Sequence, residues 1–498
     1  MEYISTRANY RPVMGAEAIY TGMVPTGGLF VPEKIPRLQL NEIEKWVEKS
    51  YSELALEILH LYLPDFSREE LSEIVSQSYG ANFDHPEIAP VVKIDQNFYI
   101  MELWHGPTAA FKDMALQLMP RLLVKAREKV GAKREIVILV ATSGDTGKAA
   151  LEGFRDVPGT RIIVFYPRGG VSKVQELQMT TTGGSNTHVV AVEGNFDDCQ
   201  TGVKNIFANS SLRKFLQEKG FELSSANSIN WGRLLPQIIY YFWAYLKLRQ
   251  RQEIAAGEKI NFVVPTGNFG NILAAYYARE MGLPVGKLVC ASNINKVLTD
   301  FFRTGVYDRR REFYRTISPS MDILISSNLE RFLFEITGRD GEQIAAWFTS
   351  LVQEGIFQVG QEIKNKMAEV VYADFATEEE TLAVINETWQ KYRYLADPHT
   401  AVGIKVFWGY RRETGDTTPT VVDATASPFK FGTSVLTALL GKELASDDEF
   451  AILRELATMT GWSLPPGLAG LEERPVRHHR VCRKEEMEKT VLEILGGQ

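Results

Sequence analysis

From residue 91 onward the chain alternates short apolar runs with amphipathic stretches, and this pattern constrains the fold more than any other feature. Residues 135–140 (EIVILV) and 161–166 (RIIVFY) read as buried strands. Residues 188–192, 261–264, 288–291 and 420–422 repeat the motif, with helical spacing over 147–154 and 174–179 between them. Strands separated by helices need crossover connections, which produce a parallel sheet covered by helices on both faces. A chain of 498 residues exceeds one ordinary core, so two or three packed units are expected. No repeat of fixed period occurs, which excludes a solenoid.

The first ninety residues read as a separate α+β unit. Thr26-Gly27-Gly28 marks a turn, residues 41–63 carry helical apolar spacing, and Asp84-His85-Pro86 with Pro90 punctuates the exit. This division gives an N-terminal unit over 1–90, an α/β region over 91–440 and a C-terminal helical extension over 441–498. Residues 330–367 and 378–394 read as helical insertions within the α/β region. The charged segment ERPVRHHRVCRKEEMEK near the end reads as a solvated tail helix.

A net charge of -7 argues against binding dominated by nucleic-acid phosphates, though not against a local basic pocket. Three cysteines, Cys199, Cys290 and Cys482, lie far apart without a CxxC pair, which suits a reducing cytoplasm. The first fifteen residues lack the basic start and apolar run of a signal peptide. The most apolar stretch, residues 238–248, is too short to span a bilayer and reads as a buried core helix. No membrane partner is expected. His478-His479 lacks a second ligand cluster, so no metal is expected.

Ligands of such sheets bind at the carboxyl ends of the strands, which singles out three loops. Pro265-Thr266-Gly267-Asn268-Phe269-Gly270-Asn271 joins a strand to a helix. Its glycines allow close backbone approach, and the helix start favours a phosphate. A tight turn without a ligand is the alternative. Thr142-Ser143-Gly144-Asp145-Thr146-Gly147 offers hydroxyls and backbone donors to a carboxylate or second phosphate, or else Asp145 or Ser143 merely caps the next helix. The third loop, residues 102–113, ends at Lys112-Asp113 just before a helix over 114–126. A lysine at a helix start is electrostatically disfavoured, and lysines near positive charge become nucleophilic. A solvated surface lysine is the alternative.

Together these loops resemble the pyridoxal-phosphate enzymes of the tryptophan-synthase-β-like kind (fold type II), and more closely threonine synthases of the microbial type. GPTAAFKD resembles the cofactor-lysine motif and puts the Schiff-base lysine at Lys112. PTGNFGN resembles the phosphate cup, which implies Gly267, Asn268, Phe269, Gly270 and Asn271 as cofactor contacts. ATASPFKF resembles the segment in which a threonine, here Thr425, faces the pyridine nitrogen. TSGDTG resembles the substrate-side loop. The segments NSINWGRLLPQIIYYF, SPSMDILISSNLERFLFE, DPHTAVG and STRANYRPVMGAEAIYTGMVPTGGLFVPE are similar as well, so the resemblance spans nearly the whole chain except the C-terminal tail. Three positions depart from the usual pattern: Ser427 stands where histidine is usual, Ser320 where alanine is usual, and Ala8 where glycine is common.

The resemblance implies two parallel-sheet three-layer domains behind a small N-terminal α+β unit, with pyridoxal 5′-phosphate as cofactor. It implies a lyase that converts O-phospho-L-homoserine and water to L-threonine and phosphate, as a monomer or homodimer in the cytoplasm. Ser143, Gly144, Asp145 and Thr146 are then candidates for the substrate loop. Arg233, Asn230 and Ser225 are candidates for the substrate phosphate, with Lys148 a weaker one. A serine or threonine dehydratase of the same fold, or a non-catalytic binding protein, is the rival reading.

Overall fold

Strands made of unbroken apolar residues can be satisfied only in the interior, and two such sets organise the protein. The computed structural model describes residues 1–142, 144–442, 444 and 446–496. Its larger sheet has six strands, in the order Val371–Phe375, Val285–Ser292, Ile260–Pro265, Thr420–Ala424, Phe98–Glu102 and Val91–Asp95. All pairs are parallel except the last, where Val91–Asp95 runs antiparallel to Phe98–Glu102. The second sheet has five parallel strands, in the order Arg480–Arg483, Thr187–Glu193, Thr160–Pro167, Glu135–Ala141 and Phe221–Ser224. Every residue of Ile260–Pro265 and Thr420–Ala424 is buried, as strands covered on both faces must be. The α/β expectation holds in both sheets.

The helix Trp231–Gln250 is the central strut. All of its residues are buried except Lys247, Arg249 and Gln250. Such a helix is hydrophobic all round because it has neighbours all round. Among the described residues, no helix is long and apolar enough to cross a membrane.

The N-terminal unit carries a three-stranded antiparallel sheet, with Glu2–Ser5 between Val13–Met14 and Phe30–Pro32. The helical spacing over 41–63 resolves into two helices, Leu40–Glu44 and Tyr51–Tyr62, because Ser50 and Glu53 form a capping box that restarts the helix. Tyr51 packs edge-on against Trp243 at 5.5 Å, which joins this unit to the central helix.

Three local expectations need correction. The stretch 330–367 is not wholly helical, since it contains the short strand Ile356–Gln358, and between the two insertions Val371–Phe375 forms the edge strand of the larger sheet. Only Val371 and Ala373 of that strand are buried, so it lacks the continuous apolar run of a central strand. The tail is not a solvated helix. Arg480–Arg483 adds a strand to the second sheet, and Cys482, Met487, Val491 and Leu495 pack against Cys199, Val203 and Ile206. Cys482 is the one inward-facing residue of that strand, so its charged neighbours mask the signal. Finally, the helix after the third loop begins at Lys112 itself and breaks after Leu116, resuming as Met119–Lys129.

Candidate active site

The carboxyl ends of Phe98–Glu102, Glu135–Ala141, Ile260–Pro265 and Thr420–Ala424 bring the three loops together. In the first, the Thr108 N–H and hydroxyl donate to Asp113 at 2.8 and 2.7 Å, closing a tight loop around Gly106. A Cβ on Gly106 would lie 2.4 Å from that of Asp113, so only glycine fits. The Phe111 N–H donates to the Thr425 carbonyl at 2.8 Å and ties the loop to the last strand's exit. Lys112 is thereby aimed inward, with its side chain only 10% exposed.

The Lys112 amine donates to Ser320 Oγ at 3.1 Å and lies 3.7 Å from Asp145 Oδ2. Burial, aided by the charges of Lys430 and Arg233 and opposed by Asp145, lowers its pKa to about 8. Asp145 opens the helix Asp145–Phe154, but the Gly144 and Gly147 N–H groups are accepted by Thr142 Oγ1 at 3.0 Å each. Asp145 therefore does not cap its helix. Its Oδ1 pairs with Lys430 at 2.7 Å, and although burial alone would raise its pKa, Lys430 and Lys112 hold it well below the usual carboxylate range. Gly144 has φ +140°, and a Cβ there would meet the Gln175 side chain at 2.5 Å. Thr146 sits half-buried beside it. Ser143 lies outside the described residues.

The Gly267–Asn271 turn forms a cup. Phe269 adopts the left-handed region at φ +65°, which turns the backbone sharply into the helix Gly270–Glu280. The carbonyl of Gly267 accepts from Ser326 Oγ at 2.7 Å, and that of Asn268 from the Asn328 N–H at 3.0 Å. With those carbonyls engaged elsewhere, the N–H groups at the helix start remain for an anion. Arg331, fully buried, braces the assembly by donating to Asn328 Oδ1 and to the carbonyls of Ile229 and Phe30. The Asn271 side chain turns away from the cup into a cluster with Tyr240, Tyr241 and Asp423, so only its backbone faces the turn.

The remaining candidates divide. Arg233 is buried, donates to the Ala226 carbonyl at 2.5 Å, and among the described residues pairs with no carboxylate. Burial lowers its pKa to about 10. Ser225 is half-buried next to that carbonyl. The amide of Asn230 is committed to structure: it caps the helix through the Gly232 N–H and donates to the Ile19 carbonyl. Lys148 is likewise engaged, donating to Glu152 and Thr182. Thr425 is buried, with its backbone against Phe111.

Two groups escaped sequence reasoning. Lys430 lies within ATASPFKF but carries no spacing signal of its own. His399 accepts the Ser320 N–H on Nε2 at 3.2 Å, and its Nδ1 faces Asp397 at 2.8 Å. This fixes the Nε2-accepting tautomer and holds the Ser320 segment over Lys112. DPHTAVG contains both residues, yet nothing in it points to Ser320.

The residues present fit a phosphorylated aldehyde cofactor. They combine a buried amine of lowered pKa, an anion cup whose Gly267 leaves no room for a Cβ, and two lysines against one carboxylate. Lys112 would hold the aldehyde carbon and the cup the phosphate.

Models of known families divide this chain into three consecutive matches. "Threonine synthase N terminus" matches residues 2–79, "Pyridoxal-phosphate dependent enzyme" residues 84–361, and "Threonine synthase, C-terminal" residues 400–491, so family likeness extends over the tail. Human "Threonine synthase-like 1" is 43% identical over 439 residues, covering 86% of this chain and 58% of that protein. The chain thus spans little more than half the length of that relative. Threonine synthase of Pseudomonas aeruginosa is 40% identical over 456 residues, covering 91% of this chain and 94% of that one. The crystal structure of PLP-bound threonine synthase from Brucella melitensis superposes with a TM-score of 0.88 at 37% identity, covering 99% of each chain. On fold, site and relatives alike, the chain belongs to the threonine synthase family of pyridoxal-phosphate-dependent enzymes.

Proposed function

We propose that the chain converts O-phospho-L-homoserine and water to L-threonine and phosphate, with pyridoxal 5′-phosphate held on Lys112 as a Schiff base. One observation carries this reading: the buried Lys112 amine and the buried Lys430 ammonium face a single carboxylate, Asp145, at 3.7 and 2.7 Å, and the charge of a third buried cation, Arg233, acts on the same amine. Such an excess of buried positive charge calls for anionic ligands.

When bound, the cofactor supplies an aldehyde for the substrate amine and an electron-accepting ring that stabilises carbanion character beside it. Lys112, once its amine is free, can take and return protons near neutral pH. Ser320 Oγ gives that amine a resting partner at 3.1 Å, and Asp145 stabilises its protonated form from 3.7 Å. Lys430 in turn keeps Asp145 ionised. Thr425, a neutral hydroxyl, would face the pyridine nitrogen without enforcing its protonation. Gly144, Asp145 and Thr146, with Ser143, would hold the substrate carboxylate end, and Arg233 with Ser225 the substrate phosphate, since a guanidinium fork matches phosphate geometry.

Arg233 favours this reading over a serine or threonine dehydratase, which needs no second anion site. The three cysteines are unpaired and buried, which supports a reducing, cytoplasmic setting. The protein would act there as a monomer or homodimer. The test is phosphate release from O-phospho-L-homoserine by wild type and Lys112→Ala. Release by wild type alone is expected. Ammonia release from threonine without phosphate release from the phosphorylated substrate would overturn the reading.

A further inference from the structure

Below the cup lies a buried polar cluster that meets the groups assigned to binding through Asn271 and through the Gln237 amide, which donates to the Arg233 carbonyl. Asp423, on the strand Thr420–Ala424, is fully buried. Its Oδ2 lies 2.7 Å from the Tyr241 hydroxyl oxygen and accepts from the Asn271 amide at 3.1 Å, while Oδ1 meets no donor. The Asn271 carbonyl oxygen lies 2.7 Å from the Tyr241 hydroxyl and also contacts the Tyr240 hydroxyl, which reaches Gln237 Oε1 at 3.2 Å.

Counting protons assigns the charge state. These five contacts need five hydrogens. With Asp423 ionised only three exist, one from each tyrosine and one from the Asn271 amide. A proton on Asp423 Oδ2 supplies a fourth and closes a ring: Asp423 donates to Tyr241, Tyr241 to Asn271, and Asn271 back to Asp423, which leaves only the Tyr240 hydroxyl sharing one hydrogen between Asn271 and Gln237. A closed ring of donors is self-reinforcing, whereas an ionised carboxylate here would be uncompensated.

We propose that Asp423, held as a neutral acid, is a positioning residue for the phosphate cup, fixing Asn271 and through it the start of the helix Gly270–Glu280. The proposal rests on the reading of the Gly267–Asn271 turn as a phosphate site. The groups facing Asp423 are Tyr240 and Tyr241 from the central helix, Asn271 from the cup helix, and the apolar Met101 and Val264 from the flanking strands. Among the described residues no lysine, arginine or histidine pairs with it. Burial raises its pKa to about 7, in keeping with the proton count. A phosphate dianion in the cup repels an ionised Asp423, so loading the cup and protonating this acid favour each other.

The test compares wild type with Asp423→Asn, using pyridoxamine 5′-phosphate as probe, because it has no aldehyde to react with Lys112. Dissociation constants are measured by calorimetry between pH 6 and pH 8. The ratio of wild-type to variant constants is expected to rise about tenfold across that range, the effect of one acid that must regain its proton to permit binding. A flat ratio overturns the proposal. If the variant does not fold, the infrared difference spectrum of wild type at pH 8 decides: gain of a carboxylic-acid carbonyl band on adding the probe supports the proposal, and no gain overturns it. Failure of wild type to bind the probe even at pH 6 overturns the cup reading itself, and the proposal with it.

Discussion

Lys430 holds its ammonium 2.7 Å from Oδ1 of Asp145, in a place where the lysine side chain has no solvent contact. The other oxygen of that carboxylate faces Lys112 at 3.7 Å, so the pair sets the electrostatic surroundings of the reactive amine. Lys430 lowers the Lys112 pKa directly and also draws off part of the attraction that Asp145 would otherwise give it.

Replacing Lys430 by methionine should therefore raise the Lys112 pKa above about 8. A base acts when neutral, and the Lys112 amine is free only once substrate is bound, so the acidic limb of kcat against pH should move to higher pH, by about one unit or more. A limb that stays in place would contradict this electrostatic account.

Gly267 is packed so that a Cβ would lie 2.6 Å from the Ser320 carbonyl oxygen. Gly267→Ala should push the Ser320 segment off the cup. Cofactor affinity is expected to drop at least about tenfold, equivalent to some 1.4 kcal/mol, with the fold retained. Titration with cofactor and circular dichroism together check both halves; unchanged affinity would mean that the segment yields freely.

His105 lies between Asp84 and Glu102, with ring nitrogens 2.5 and 2.9 Å from their carboxylates. Burial alone would lower its pKa, but those two partners raise it to about 9. Because the folded value exceeds the unfolded one, the stabilisation is complete below pH about 6.5 and is lost as pH rises through about 9. Urea unfolding should show a loss of up to about 3 kcal/mol over that range, absent in His105→Asn. Parallel curves for the two proteins would contradict it.

Truncation after residue 479 removes an edge strand and the apolar face of the last helix. Cys482, Met487, Val491 and Leu495 are all buried against the second sheet's outer helices. At about 1.5–3 kcal/mol for each large side chain, stability should fall by about 5 kcal/mol or more. A truncated protein with an unchanged melting temperature would restore the solvated-tail reading.

What the sequence made legible follows burial. Strands covered on both faces, such as Glu135–Ala141, announce themselves as continuous apolar runs, and the structure brings together the three loops singled out after or beside them. Edge strands did not, because Val371–Phe375 and Arg480–Arg483 each bury one or two side chains. Within the candidate site, Lys112 and the glycines of the cup drew notice because their local setting is unusual, and the resemblance supplied the roles proposed for them. Lys430 and His399 did not, and Ser320 showed only as a departure, because their contacts reach across 79 to 322 residues of chain. Asn230 and Lys148 show the converse, polar side chains in the right neighbourhood whose donors are already spent. Ala8 is a departure that the backbone makes visible, since it occupies a left-handed conformation at φ 51° where glycine would be unstrained.

The most direct test of the account is to load the protein with pyridoxal 5′-phosphate, reduce it with borohydride and map the labelled peptide by mass spectrometry. One stable phosphopyridoxyl group is expected, on Lys112 and on no other lysine. Label on Lys430, on Lys148 or on no lysine at all would contradict it.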